Sequence, residues 1–155
     1  MYSVALLLHL LGATLWTGGH LVLSLTILPR AMRNKDPGLI LQFESGYEKI
    51  GMAALIVQIV TGFWLAHRLM PDVMHWFSAG DAISQLILVK ITLLVVTAVL
   101  ALHARLSIIP RLDAHNLKSL ACHIIAVTIL SVLFVAIGLG FRPGVFFCFF
   151  LTKGY

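Results

Sequence analysis

Residues 86–106 read LILVKITLLVVTAVLALHARL, a run whose sole ionisable side chains are Lys90, His103 and Arg105. At about 1.5 Å of rise per residue, a helix of this length crosses the ~30 Å hydrocarbon of a bilayer. Strands open to lipid would leave backbone groups unpaired, so the run must be helical. Ser78, Gly80 and Asp81 offer capping groups before it and Pro110 closes its exit, which predicts a helix over about 82–106.

Three more runs of this kind flank it. The first spans about 2–28 and is expected to stop at Pro29-Arg30, before a polar connection through Lys35 and Gly38. The second spans about 47–67, through IGMAALIVQIVTGFWLA. The fourth spans about 119–141 and ends at Arg142-Pro143-Gly144. An apolar tail over 144–151 is too short to cross and is expected to lie at the interface or against a partner. The first run has neither a basic leader nor a small-residue cleavage site, so it reads as a retained helix.

Composition agrees: 60% of residues are hydrophobic and 11% charged, far from the roughly 25% charged of soluble domains. The expectation is an all-α integral membrane protein, an antiparallel four-helix bundle forming a single membrane domain over 1–155. The net charge of +5 does not indicate nucleic acid, because the cations flank apolar runs. Arg30, Arg33, Lys35, Lys49, Arg105, Arg111 and Lys118 fall on one side, here side B, and Arg68, Arg142 and Lys153 on the other, side A. Side B is thus expected to be cytoplasmic and both termini periplasmic. Cys122 and Cys148 form neither a CxxC nor a metal-ligand spacing.

Seven histidines in so apolar a chain are the informative feature, because an ionisable group inside a membrane is costly. His9 falls in the side-A half, with Lys90. His20, His103 and His123 fall at similar depth in the side-B half. His9 and His20 share a helix face about three turns apart, with Trp16 on the same stripe and Gly12, Gly18 and Gly19 around it. Imidazoles from facing helices at matched depth suit axial ligation of a heme. The same set, with Met52 and Met70, suits copper. Each also has a plainer use, a hydrogen bond to a neighbouring helix. His67 reads as interfacial, and His75 and His115 as loop residues. Lys90 either snorkels to side A or meets an acidic ligand group such as a porphyrin propionate; Thr97 shares its face and His103 does not.

The residues also carry a resemblance. HLLGATLWTGGHLVLSLTILP, from His9 to Pro29, resembles the first helix of the copper-resistance protein D family of bacterial membrane proteins, and LILVKITLLVVTAVLALHARL is similar to its third. The His-x6-Trp-x-x-Gly opening, Gly62 to Leu65, and the Lys-then-His pattern of the third helix also resemble HemJ-type protoporphyrinogen oxidases. HLVLSLTILPR stands where that set has Phe-Tyr-Leu-Pro-Arg. The resemblance implies a bacterial inner-membrane location, a heme-linked histidine at His9 and an essential, catalytic lysine at Lys90.

The leading expectation is a heme b protein passing electrons within or across the bilayer, with ligands drawn from His20, His103 and His123, Trp16 beside them, and a second outer site at His9 and Lys90. The alternatives are a copper transport or homeostasis component, with His9, His20, His103 and His123 as metal ligands; a porphyrinogen-oxidising oxidoreductase; and a small subunit of a respiratory complex. Expected partners are membrane lipid, a quinone, porphyrin or cytochrome, and a larger complex or a second copy of the chain.

Overall fold

The computed structural model describes residues 1–78, 80–113 and 116–141. The apolar tail, His115, Arg142, Lys153 and Cys148 lie outside the described residues. Among the described residues, four helices are long and apolar enough to cross a membrane: α1 (Tyr2–Asn34), α2 (Gly38–Leu69), α3 (Ala82–Arg111) and α4 (Leu117–Leu139). The described residues contain no strand.

The helix ends depart from expectation in an instructive way. Pro29 does not end α1, which continues to Asn34. Leu23–Ile27 form a π turn, and the Leu28 N–H reaches back five residues to the Leu23 carbonyl. A proline ring normally collides with the carbonyl four residues earlier; a wider turn just before it relieves that contact and carries the chain past Pro29. The same device recurs in α3, where Ala104–Ile108 form a π turn and the Ile109 N–H bonds the Ala104 carbonyl. Pro110 then sits in a closing 3-10 turn over Ile109–Arg111. The two sites read Leu25-Thr26-Ile27-Leu28-Pro29 and Leu106-Ser107-Ile108-Ile109-Pro110, a short repeat that the sequence reading does not single out.

Helix α1 ends on Lys35, whose φ of 52° is left-handed, and the Asp36 carboxylate accepts the Gly38 N–H at 2.8 Å. That tight turn starts α2 at Gly38, nine residues before the expected Tyr47 and against its neighbour's end. At the start of α3, the Asp81 side chain accepts the Ile83 and Ser84 N–H groups at 2.9 and 3.0 Å. The Ser84 hydroxyl in turn accepts the Asp81 N–H, which completes a capping box. The Ser84 N–H, ahead of the Ile83 N–H, holds the Asp81 carboxyl below its usual range.

Packing follows small residues. A Cβ on Gly12 would stand 3.0 Å from the Ala54 carbonyl of α2, so the α1 and α2 backbones approach each other closely there. Further toward side B, the Tyr47 ring occupies the space a side chain on Gly19 would need, and its hydroxyl donates to the Leu15 carbonyl at 2.7 Å. Residue numbers rise along α1 as they fall along α2. On its other flank, α1 meets α4 through the Thr17 hydroxyl on the Ser131 carbonyl (3.4 Å) and the Thr128 hydroxyl on the His20 carbonyl (3.3 Å). Helix α4 then packs on α3.

The order around the bundle is therefore α2, α1, α4, α3, and the two end members do not pack extensively on each other. They are bracketed at their ends. On side A, Trp76 of the turn Val73–Phe77 is buried, stacks on Phe63 of α2 at 6.1 Å and donates its indole N–H to the Met70 carbonyl at 2.8 Å. On side B, Glu48 of α2 pairs with Arg105 of α3, beside a core of Leu23, Leu28, Ile40, Ile108, Leu120 and Ile124. Between the brackets the bundle is open.

Candidate functional site

The close approach at Gly12 sets His9, about one turn earlier on α1, against α2. Its Nδ1 lies 3.1 Å from the Gln58 carbonyl and 3.0 Å from the Thr61 hydroxyl. A carbonyl can only accept, and the Thr61 hydroxyl already gives its proton to the Val57 carbonyl at 2.6 Å. Nδ1 therefore carries the hydrogen and Nε2 keeps its lone pair. A Cβ on Gly62 would meet the His9 ring at 3.1 Å, so glycine there makes room for the imidazole.

Lys90 of α3 belongs to the same level. Its ammonium lies 3.5 Å from where a Cβ of Gly138 would sit and stands 5.1 Å from the centre of the Phe141 ring. No carboxylate pairs with it among the described residues. The Thr97 hydroxyl, on the Lys90 face of α3, is buried without a partner. His67 is exposed at the end of α2, and His75 is a loop residue 3.3 Å from the Asp72 carboxylate.

At the inner level, His20 donates from Nδ1 to the Trp16 carbonyl at 2.9 Å, and its ring lies 4.4 Å from that of Trp16. The same reasoning leaves Nε2 of His20 as an open lone pair. His123 donates from Nδ1 to the Ser119 carbonyl at 2.9 Å. Its Nε2 must then accept, and the donor is Nδ1 of His103, also at 2.9 Å, with the rings 5.0 Å apart. Both nitrogens of His123 are committed, and His103 keeps an open Nε2 on an exposed side chain. Anchoring one imidazole nitrogen on a carbonyl while the other stays free is how metal-binding histidines are oriented. His9 and His20 both have that arrangement.

The gap between α2 and α3 is a cleft of about 360 Å³. Its floor is His20, Trp16 and Gly19 of α1 with His123 and Ile124 of α4; its sides are Phe43, Glu44, Tyr47 and Met52 of α2 and Ala98, Ala101 and Arg105 of α3. The structure thus brings His20 and His123 to one cavity and leaves His103 behind His123, off the cavity wall. Among the described residues no three His, Cys, Asp or Glu side chains gather closely enough to hold a metal ion. Met52 faces the cleft, whereas Met70 ends α2 and serves as the Trp76 acceptor. Cys122 is a free, exposed thiol.

Glu44, Tyr47, Glu48 and Arg105 complete this site, and the sequence reading names none of them as functional except Arg105 as a topology marker. The signal for Tyr47 is the Gly18-Gly19 pair, whose missing side chains leave a slot only one of which is filled: no atom lies within 4 Å of a Cβ built on Gly18.

A family model described as Copper resistance protein D matches residues 41–141. The chain belongs to the copper resistance protein D family. The copper resistance protein D match covers nearly all of α2 and the whole of α3 and α4, so it includes Lys90, His103 and His123 but neither His9 nor His20. No curated protein and no solved structure matches the chain. Membership in the copper resistance protein D family and four apolar helices together make this a multi-pass membrane protein related to copper resistance.

Proposed function

We propose that this protein handles copper as cargo inside the membrane, and that the cleft between α2 and α3 is where the ion is held. The observation that carries this reading is the chemistry left open on the cleft wall. Tyr47, His123, Glu48 and Arg105 are engaged with the protein, while Nε2 of His20, the Met52 sulfur and the Glu44 carboxyl are Lewis bases with no hydrogen-bond partner among the described residues. Imidazole and thioether together favour copper over hard divalent ions. Few donors in a roomy cavity suit an ion that must leave again. By the excess of cations on side B, we place that face in the cytoplasm of a bacterial inner membrane.

Metal analysis of the purified full chain after copper-replete growth tests this. The expected result is copper near one per chain, falling at least tenfold in His20→Ala and severalfold in Met52→Leu. Copper-free protein, or copper unchanged in His20→Ala, overturns the reading.

A second reading has its own supporting observation. The rings of Trp16, Phe43 and Tyr47 line the same cleft with Arg105 at its rim, which suits a flat macrocycle with acidic substituents. A heme b there would be held by His20, with Arg105 available to its propionates, and would supply one-electron chemistry. Because both nitrogens of His123 are committed, a second ligand from that residue requires its bond to His103 to break. A Soret band in the purified protein, lost in His20→Ala, is the expected signature; its absence after heme-replete growth removes this reading.

A further inference from the structure

The cleft is far larger than a copper ion needs, since even a water molecule claims only about 30 Å³ and the cavity holds about 360 Å³. It is also open in a particular direction. Helices α2 and α3 are bridged at their ends by Phe63–Trp76 and Glu48–Arg105 and lack extensive packing between them, so the gap faces the surrounding lipid rather than either aqueous side. Whatever enters by that route dissolves in the membrane.

The wall then narrows the chemistry. Most of it is apolar, and Trp16, Phe43 and Tyr47 contribute ring faces, which suits a flat aromatic body. Within it, three polar groups have no hydrogen-bond partner among the described residues: Nε2 of His20, the Glu44 carboxyl and the Trp16 indole N–H. The first two accept hydrogen bonds, the carboxyl keeping an accepting oxygen in either protonation state, and the indole donates one. The other donors are partly engaged: the Tyr47 hydroxyl on the Leu15 carbonyl, Nδ1 of His123 on the Ser119 carbonyl, and one N–H of Arg105 on Glu48, which leaves that guanidinium further N–H groups. A ligand matched to His20 and Glu44 brings O–H donors, whose oxygens also accept from Trp16 or Arg105.

We propose that this cleft binds a membrane-soluble hydroquinone, its ring among Trp16, Phe43 and Tyr47 and its hydroxyl groups donating to His20 and Glu44. The oxidised quinone carries only acceptors, which the Trp16 and Arg105 donors can meet but His20 and Glu44 cannot, so the reduced form, which satisfies both kinds of group, is held more tightly. This inference goes beyond the copper reading and uses the same cavity without the metal.

The test is calorimetric titration of the metal-stripped full chain in lipid nanodiscs with decylubiquinol under anaerobic conditions, alongside decylubiquinone. Saturable one-to-one binding of the hydroquinone, at least tenfold tighter than the quinone, is expected. His20→Ala is expected to weaken it about tenfold, and Ala101→Trp to abolish it by filling the cleft. Ala101 is exposed on α3, so the larger ring displaces no packed atoms; Ala98→Trp, at an equally exposed site, replaces it if the first variant fails to fold. Equal affinity for the two oxidation states, indifference to the tryptophan, or uptake no greater than by empty nanodiscs each overturns the proposal. Copper content measured on parallel, unstripped preparations reports on the copper reading separately.

Discussion

Gly19→Ala is the most exacting probe of how α1 and α2 are joined. The new methyl would occupy the volume of the Tyr47 ring, and a ring anchored at its hydroxyl by the Leu15 carbonyl cannot retreat without releasing that bond. Losing the bond costs about 0.5–1.5 kcal/mol, and forcing a carbon into a filled contact costs typically about 1–3 kcal/mol. Alanine returns up to about 1 kcal/mol of helix propensity relative to glycine. The net expectation is a loss of about 1–3 kcal/mol. Gly18→Ala is the internal control: a Cβ there meets nothing within 4 Å, so it keeps the propensity gain and stability is unchanged or slightly raised. Tyr47→Ala and the double variant Gly19→Ala/Tyr47→Ala complete a cycle in which the clash is absent, and a coupling of about 1 kcal/mol or more is expected. Reversible unfolding in mixed micelles, followed by circular dichroism, measures all four. Equal stability of the two glycine variants, or an additive cycle, refutes the tyrosine-in-glycine-slot account.

Lys90→Met keeps the length of the side chain and removes a charge that has no counter-ion among the described residues. A charge inside a span costs ~2.5–3.5 kcal/mol on insertion scales and the Phe141 contact returns about 0.5–2 kcal/mol, so the same unfolding assay should show a stability gain of about 1 kcal/mol; a clear loss would mean the ammonium has a partner. For the side-B bracket, Glu48→Gln and Arg105→Gln are each expected to widen the α2–α3 distance between spin labels, and the reversed pair Glu48→Arg/Arg105→Glu to restore it. Unchanged distances in the single variants would show that the core beneath the pair is sufficient. The Asp81 cap carries a pH signature. Its carboxyl is held below the usual range, chiefly by the Ser84 N–H, so the cap's contribution is complete at and above the ordinary carboxylate range and fades as pH falls through the lowered value. Amide exchange at Ile83 and Ser84 should therefore accelerate only in that acid range, and in Asp81→Asn the acid step should vanish.

The spans were legible because lipid imposes a simple demand: a run long and apolar enough to cross, as in 86–106, admits only a helix. Depth was legible too, since rise per residue is fixed; His103 and His123 do meet. What depth could not give was direction. His103 and His123 lie at matched heights yet bond each other, with His103 off the cavity wall and both His123 nitrogens committed, and His20 is the histidine whose free nitrogen lies at the cleft. That depends on the order of helices around the bundle, which no single span encodes. The residues that shape the cleft were hidden for a related reason. Tyr47, Glu44 and Glu48 sit where α2 was expected to begin or not yet to exist, because Gly38 and the left-handed Lys35 start that helix earlier than its hydropathy suggests. Pro29 misled through the ordinary rule that proline ends a helix, which a preceding π turn suspends.

That π turn also bears on how this chain tolerates changes in its length. Leu23 and Leu28 are both buried although five residues separate them, a spacing that a regular α-helix would place about 140° apart around its axis. The turn absorbs one residue more than an α turn holds, and everything beyond it keeps the facing it would have had without that residue. A deletion of Leu25 or Thr26 would therefore close the wide turn into a regular one and leave Leu28 and Ala31 pointing inward, whereas the same deletion about two turns earlier, near Gly18, would swing the rest of α1 away from its neighbours. Homologues one residue shorter in this stretch, or in the matching stretch before Pro110, would share the fold with no gap in their packing.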